Sequence, residues 1–171
     1  GIETHRQNHG KRAALVQLAF NCYFTAMGLD NMGASSASAV SRGGPRGFRA
    51  SKAMASQHGE VLRREHGRID ILFNNAGVNI PDRNWAVLSP ESIETLIDGN
   101  LKSAAYCTRA VLPIMREQGD GQLIHTASWA GRFIGPTSGP IYTAAKHGVV
   151  AMSHTINLEE CENGIRSTVI S

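Results

Sequence analysis

An α/β fold, with crossover helices joining the strands of a doubly wound parallel sheet, is predicted by three observations on this 171-residue sequence. Strand-like and helix-like segments alternate through its second half, and each short strand is bounded by glycine or a polar turn. Residues 69–73 and 122–126 are compact runs of the length of a buried strand. Between them, Ile93, Leu96, Ile97, Leu101, Ala104, Val111 and Met115 recur at helical spacing and form one apolar stripe.

The elements follow in chain order. Ser51 caps a helix over 51–66 that stops at Gly67, and 69–73, broken only by Asp70, is the next strand. Ser89, Pro90 and Glu91 supply the cap, first-turn proline and acid that open a helix running to Gln118. After Gly119 and Gly121 comes the strand 122–126, then a glycine-rich loop through Gly131, Gly135 and Gly139. Pro140 starts a helix that reaches about Glu160, and 165–170 is a last strand. The first fifty residues read differently. Residues 13–20 suit a helix and 22–25 a weak strand, whereas 33–47 is a Ser/Ala/Gly/Arg stretch without periodicity, closer to a flexible loop. A single domain over 1–171 is expected, with 1–50 its divergent part.

Composition narrows the function classes. The hydrophobic content of 42% is that of an ordinary globular protein, and no apolar run approaches the roughly 20 residues of a bilayer span. His5, Arg6, His9, Lys11 and Arg12 precede a short apolar stretch, but no small-residue cleavage site follows, so a cytoplasmic protein is expected. The net charge of +3 is mild and the arginines are scattered, which argues against nucleic acid and leaves an anionic cofactor as a sufficient partner. Cys22, Cys107 and Cys161 are odd in number and lack metal-ligand spacing, so they are read as buried reduced thiols, with no metal site.

Four features carry chemistry. Asn74-Asn75-Ala76-Gly77 lies at the carboxyl end of a strand, where open parallel sheets place their ligands, and its small residues let backbone approach a flat ring. A polar turn that merely ends a strand would look the same. Tyr142 and Lys146 are four apart on a helix and share a face. An ammonium near a phenol favours the phenolate, which lets the hydroxyl both give and accept a proton. Taken alone, they are two residues of a helix surface. Ser128, two residues beyond Thr126, can donate a hydrogen bond to a substrate oxygen as charge develops there, or it is simply a loop serine. Asn100, seven residues after Ile93 and four before Ala104, falls on the apolar stripe, where a buried amide needs partners. It either takes part in the reaction or only holds its helix near Gly99.

In chain order, Asn74-Asn75-Ala76-Gly77, Asn100, Ser128 and Tyr142-x-x-x-Lys146 resemble the classical short-chain dehydrogenase/reductase family, over about residues 51–171. The resemblance implies an incomplete Rossmann-like fold of three αβα layers. It implies transfer of hydride between NAD or NADP and a small-molecule carbonyl or secondary alcohol. The family's tetrad corresponds to Asn100, Ser128, Tyr142 and Lys146. By the same resemblance Tyr142 is the acid/base, Ser128 orients the carbonyl, and Lys146 binds the nicotinamide ribose and tunes the tyrosine. Asn100 would support a proton-relaying water, and Asn74, Ala76 and Gly77 would lie beside the adenosine half of the cofactor. Family members commonly pair through the two helices that carry Asn100 and Tyr142, which implies a homodimer or homotetramer. A non-catalytic scaffold of the same fold, binding cofactor weakly or not at all, is the alternative.

The departures are specific. The family's Thr-Gly-x-x-x-Gly-Ile-Gly loop, whose amides face the pyrophosphate, has no full counterpart: Gly1-Ile2 resembles its tail, and Glu3 stands where its last glycine should be. The adenine-contacting aspartate is also missing, the matching stretch reading Phe48-Arg49-Ala50. The family's Pro-Gly turn and substrate segment would follow Ser171, so an internal fragment of a longer enzyme is expected. Asp30 would favour NAD through an adenosine ribose hydroxyl, whereas Arg42 or Arg46 would favour NADP through a 2′-phosphate.

Overall fold

The computed structural model describes residues 60, 63, 64 and 67–171. The elements expected over 13–25, the 33–47 loop and the start of the 51–66 helix lie outside the described residues. Residues 60, 63 and 64 are helical, and Gly67, at φ +74°, donates its N–H to Arg63 O at 2.8 Å, where the sequence ends that helix.

Three parallel strands follow, β1 (Ile71–Asn74), β2 (Gly121–Thr126) and β3 (Ile165–Ile170), side by side in the order β1-β2-β3. They are joined by α1 (Pro90–Ile97), a π-helical segment (Asp98–Lys102), α2 (Ser103–Gln118) and α3 (Pro140–Glu160). This is a sheet flanked by helices, Rossmann-like and incomplete. Register places Leu72 beside Leu123 and Leu123 beside Ser167, so alternate side chains of all three strands turn to one face. On that face Ile69, Leu72, Leu123 and Ile165 close a core with Cys107, Val111, Ile114 and Met115 of α2 and Ile156 of α3. Burial of each such side chain contributes roughly 1.5–3 kcal/mol. The opposite face carries Ile71 and Ile170, both exposed, with Phe73 and Ile124 half-buried between them. Among the described residues, no helix is long and apolar enough to cross a membrane.

Local chemistry explains the boundaries. Ser89 Oγ accepts the Ser92 N–H at 3.1 Å and Pro90 opens α1, while α2 ends at Gly119 in the left-handed region. β1 begins at Ile71 rather than at 69, because the Gln118 amide takes both main-chain groups of Ile69: Oε1 accepts its N–H and Nε2 donates to its carbonyl, each at 2.7 Å. The helix expected to run to Gln118 does so through a π-helical turn, in which the Ser103 N–H reaches Asp98 O five residues back. At the far end, Arg116 of α2 grips the buried Glu160 carboxylate with both arms of its guanidinium. Of the cysteines expected to be buried, Cys107 is in the core but Cys161, just past α3, is exposed.

Candidate active site

β1 and β2 end together, and a ladder of side-chain bonds locks their ends. Asn74, opposite His125 in the register, donates from Nδ2 to Thr108 Oγ1 of α2 and to His125 Nδ1, each at 3.1 Å. His125 therefore accepts at Nδ1 and carries its proton on Nε2, an assignment set by this bond. Burial pushes the pKa of His125 down to about 4, so the ring is neutral. One residue on, Thr126 donates from Oγ1 to Asn75 Oδ1 at 2.8 Å.

The Thr126 carbonyl accepts a hydrogen bond from Lys146 Nζ at 3.0 Å, which sets the lysine of α3 over the end of β2. Lys146 is buried, and burial lowers its pKa. Tyr142 lies in the first turn of α3, one turn before it, with Nζ 5.7 Å from the ring centroid. The Tyr142 hydroxyl makes no hydrogen bond among the described residues. Ser128, just past β2, accepts the Ala130 N–H at 3.2 Å and so caps a short 3-10 turn (Trp129–Gly131); its own proton remains to be donated elsewhere. No hydrogen bond joins Ser128 to Tyr142 among the described residues.

Asn100 sits in the π-helical segment and is fully buried. Its Nδ2 donates to Val78 O at 2.7 Å and to Leu96 O at 2.8 Å, while its Oδ1 accepts the Val78 N–H at 3.1 Å. Ser103 Oγ donates to Gly99 O at 2.8 Å, so side chains serve carbonyls within the irregular turn. Asn100 thus clasps the main chain just after Gly77. A Cβ on Gly77 would stand 3.1 Å from Asn100 Oδ1 and 3.2 Å from Lys146 Nζ, which leaves room for little but hydrogen.

Asn100, Gly77 and Lys146 are therefore brought into one contact, with Tyr142 on the same helix face as Lys146 and Ser128 two residues beyond Thr126. Asn74 is turned the other way, into the core, where it fastens β1 to β2 and α2. Ala76 is half-buried at the end of β1. Gly1-Ile2, Glu3, Asp30, Arg42, Arg46 and the Phe48-Arg49-Ala50 stretch lie outside the described residues. Sequence reading missed His125, Thr108 and the Asn75–Thr126 pair. The signal for His125 was available, since it stands two residues after Leu123 and so shares the inward pleat.

Comparison with known proteins bears on the family and the fold. The family model described as short chain dehydrogenase matches residues 48–171. Levodione reductase of Leifsonia aquatica is 40% identical over 106 residues, 61% of this chain and 39% of that protein. The peroxisomal multifunctional enzyme type 2 of Drosophila melanogaster is 35% identical over 111 residues, 65% of this chain and 18% of that protein. A solved metagenomic short-chain oxidoreductase in complex with NADP superposes with a TM-score of 0.64 at 28% identity, covering 69% of this chain and 52% of that one. The chain spans about half the length, or less, of these relatives.

Proposed function

The chain belongs to the short-chain dehydrogenase family, whose members are NAD(P)-dependent oxidoreductases, and from that membership we propose that a longer parent containing it interconverts a small carbonyl compound and its alcohol. The observation that carries the reading is the placement of Lys146: buried, bonded once to Thr126 O, beside the Gly77 backbone and one turn after Tyr142. An ammonium has three donors. Two of those on Lys146 remain for a ligand's hydroxyls, and the bare Gly77 lets a ribose come close. Lys146 at the end of β2 thus fits the nicotinamide ribose of NAD or NADP, with Ala76 and Gly77 at the end of β1 toward the adenosine half.

The cofactor supplies or receives the hydride. In the reducing direction, Tyr142 gives its hydroxyl proton to the substrate oxygen, and Ser128 donates a hydrogen bond to that oxygen as negative charge grows on it. In the oxidising direction Tyr142 takes the proton back. Lys146, held at Thr126 O, keeps a positive charge near the phenol. Asn100, with its side chain committed to Val78 and Leu96, fixes the strand end beside Lys146.

Replacing Tyr142 by Phe in the full-length parent keeps the ring and removes the transferable proton. The expected result is a kcat lower by roughly 10² to 10⁴. Wild-type turnover in that variant would remove Tyr142 from the mechanism. Fluorescence titration with NADH and NADPH decides the cofactor; the NADP-bound relative is the precedent for NADPH.

Assembly and location complete the reading: a cytoplasmic homodimer or homotetramer paired through α2 and α3. Ala144 and Ala151 are exposed on α3, which supports close approach of a second copy, whereas Gly148 is already used against Leu101 of its own chain. A monomeric mass by light scattering would count against the assembly.

A further inference from the structure

The first turn of α3, which carries Tyr142, has no side-chain cap of its own. Pro140 cannot donate a main-chain hydrogen bond, and Gly139 offers only its carbonyl, which accepts the Thr143 N–H at 3.1 Å. What fixes this turn comes from the loop between β1 and α1. Asn79 donates from Nδ2 to Ser138 O at 3.2 Å and braces itself by accepting the Ile80 N–H on Oδ1 at 2.9 Å. Arg83, folded back on Ile80 O at 3.1 Å, lies against Gly139. A Cβ on Gly139 would stand 2.9 Å from Arg83 Cβ and Cγ and 3.0 Å from Arg83 O, and the φ of +81° at Gly139 is one that other residues rarely adopt.

The same loop is gripped at its other end. Val78, next to Asn79, has both main-chain groups held by Asn100. Two adjacent residues therefore tie the π-helical segment to the start of α3. We propose that the β1–α1 loop is a strap that sets Tyr142 against Asn100, with Asn79 as its positioning residue, acting through Ser138. The proposal rests on the role assigned to Tyr142, because a displacement of about 1 Å at a reacting group can cost on the order of 10²-fold in rate. An exposed, neutral bond of 3.2 Å contributes too little to decide folding, so the strap can be cut without losing the protein.

Two variants of the full-length parent cut it. Asn79→Ala removes both bonds. Asn79→Asp retains the oxygen that accepts the Ile80 N–H but presents an acceptor to Ser138 O. With 3-fluorotyrosine incorporated, the ¹⁹F resonance of Tyr142 is assigned by its disappearance in Tyr142→Phe. Both Asn79 variants are expected to shift that resonance beyond its line width and to lower kcat about 10-fold or more, with NADPH and 2,3-butanedione as probe carbonyl. The NADPH dissociation constant should stay within about 2-fold of wild type, since no cofactor residue has moved. An unmoved resonance overturns the strap whatever the turnover, and so does a loss of kcat matched by an equal loss of NADPH affinity. A resonance shifted in both Asn79 variants of a parent that never turns over would leave the strap standing and sink the proposed activity instead.

Discussion

His125 binds no proton in the folded chain until the pH is far below its usual range, because burial holds its pKa near 4 against 6.5 when exposed. The unfolded chain takes up the proton first. Stability from the neutral ring is complete above pH 6.5, drains away as the pH falls, and is lost below about 4, a total of about 3 kcal/mol. Urea denaturation at pH 7 and pH 5 should show a smaller loss in His125→Gln than in wild type; equal losses would remove His125 as the cause. Gly77→Ala tests the neighbouring contact. Asn100 and Lys146 must each give by a few tenths of an ångström against their bonds to Val78, Leu96 and Thr126 O, so the added methyl should cost roughly 1–3 kcal/mol. NADPH affinity should fall with it, and calorimetry finding unchanged affinity and melting temperature would show that the cradle has slack. Tyr142, Lys146, Ser128 and Asn100 stand out in the sequence as candidates because each combines a telling residue type with a telling spacing, and of these Lys146 and Asn100 come together around Gly77. Asn74 was legible as a residue but not in its direction, since the strand's parity, not its motif, turns it inward.

Helix α2 is fastened to the end of α3 by Arg116, whose guanidinium is the main reason the Glu160 carboxyl titrates below its usual 4.5, with Asn163 a lesser one. Arg116→Met would leave a buried carboxylate with Asn163 alone. The arginine is half exposed, so water screens the pair and the cost should be about 1–3 kcal/mol rather than that of a fully buried pair. The penalty is full above pH 4.5 and shrinks as the pH falls through the lowered folded pKa, which melting curves at pH 7 and pH 4 can follow. An unchanged melting temperature at pH 7 would mean that the pair is ornamental. Other elements show where sequence reading succeeds. The helix from Pro140 to about Glu160 and the strand from Ile165 to Ile170 were legible, because proline fixes one end and glycine separates the two. The π-helical turn was not, since one extra residue in a turn shifts an apolar stripe too little to see. Its trace is the pair Gly99-Asn100 on that stripe, a flexible residue and a buried amide where a leucine would pack better.

At the scale of the molecule, the described sheet is dressed on one side. β1 has one partner among the described residues, β2, and the face bearing Ile71 and Ile170 is open there. Each main-chain group left unpaired within a core costs about 1–3 kcal/mol, against the roughly 5–15 kcal/mol that holds a typical domain. With β2 as the single partner of β1, residues 1–171 expressed alone would melt over a broad range by circular dichroism and bind NADPH weakly. A sharp two-state transition with micromolar NADPH binding would refute this. The fold class was legible from the alternation of elements and its incompleteness from the family loop that the sequence lacks, whereas the register of neighbouring strands leaves no mark on a single strand's pattern.

The Gln118 amide, which binds both main-chain groups of Ile69 two residues ahead of β1, also bears on solvent exchange. The Ile69 amide hydrogen belongs to no strand, yet it is held at 2.7 Å in the core, so it should exchange with deuterium as slowly as those of the sheet. Its protection depends on a single side chain at the far end of α2. In Gln118→Ala that one amide should become fast while its neighbours in β2 remain slow, making Ile69 a reporter of whether the end of α2 is docked.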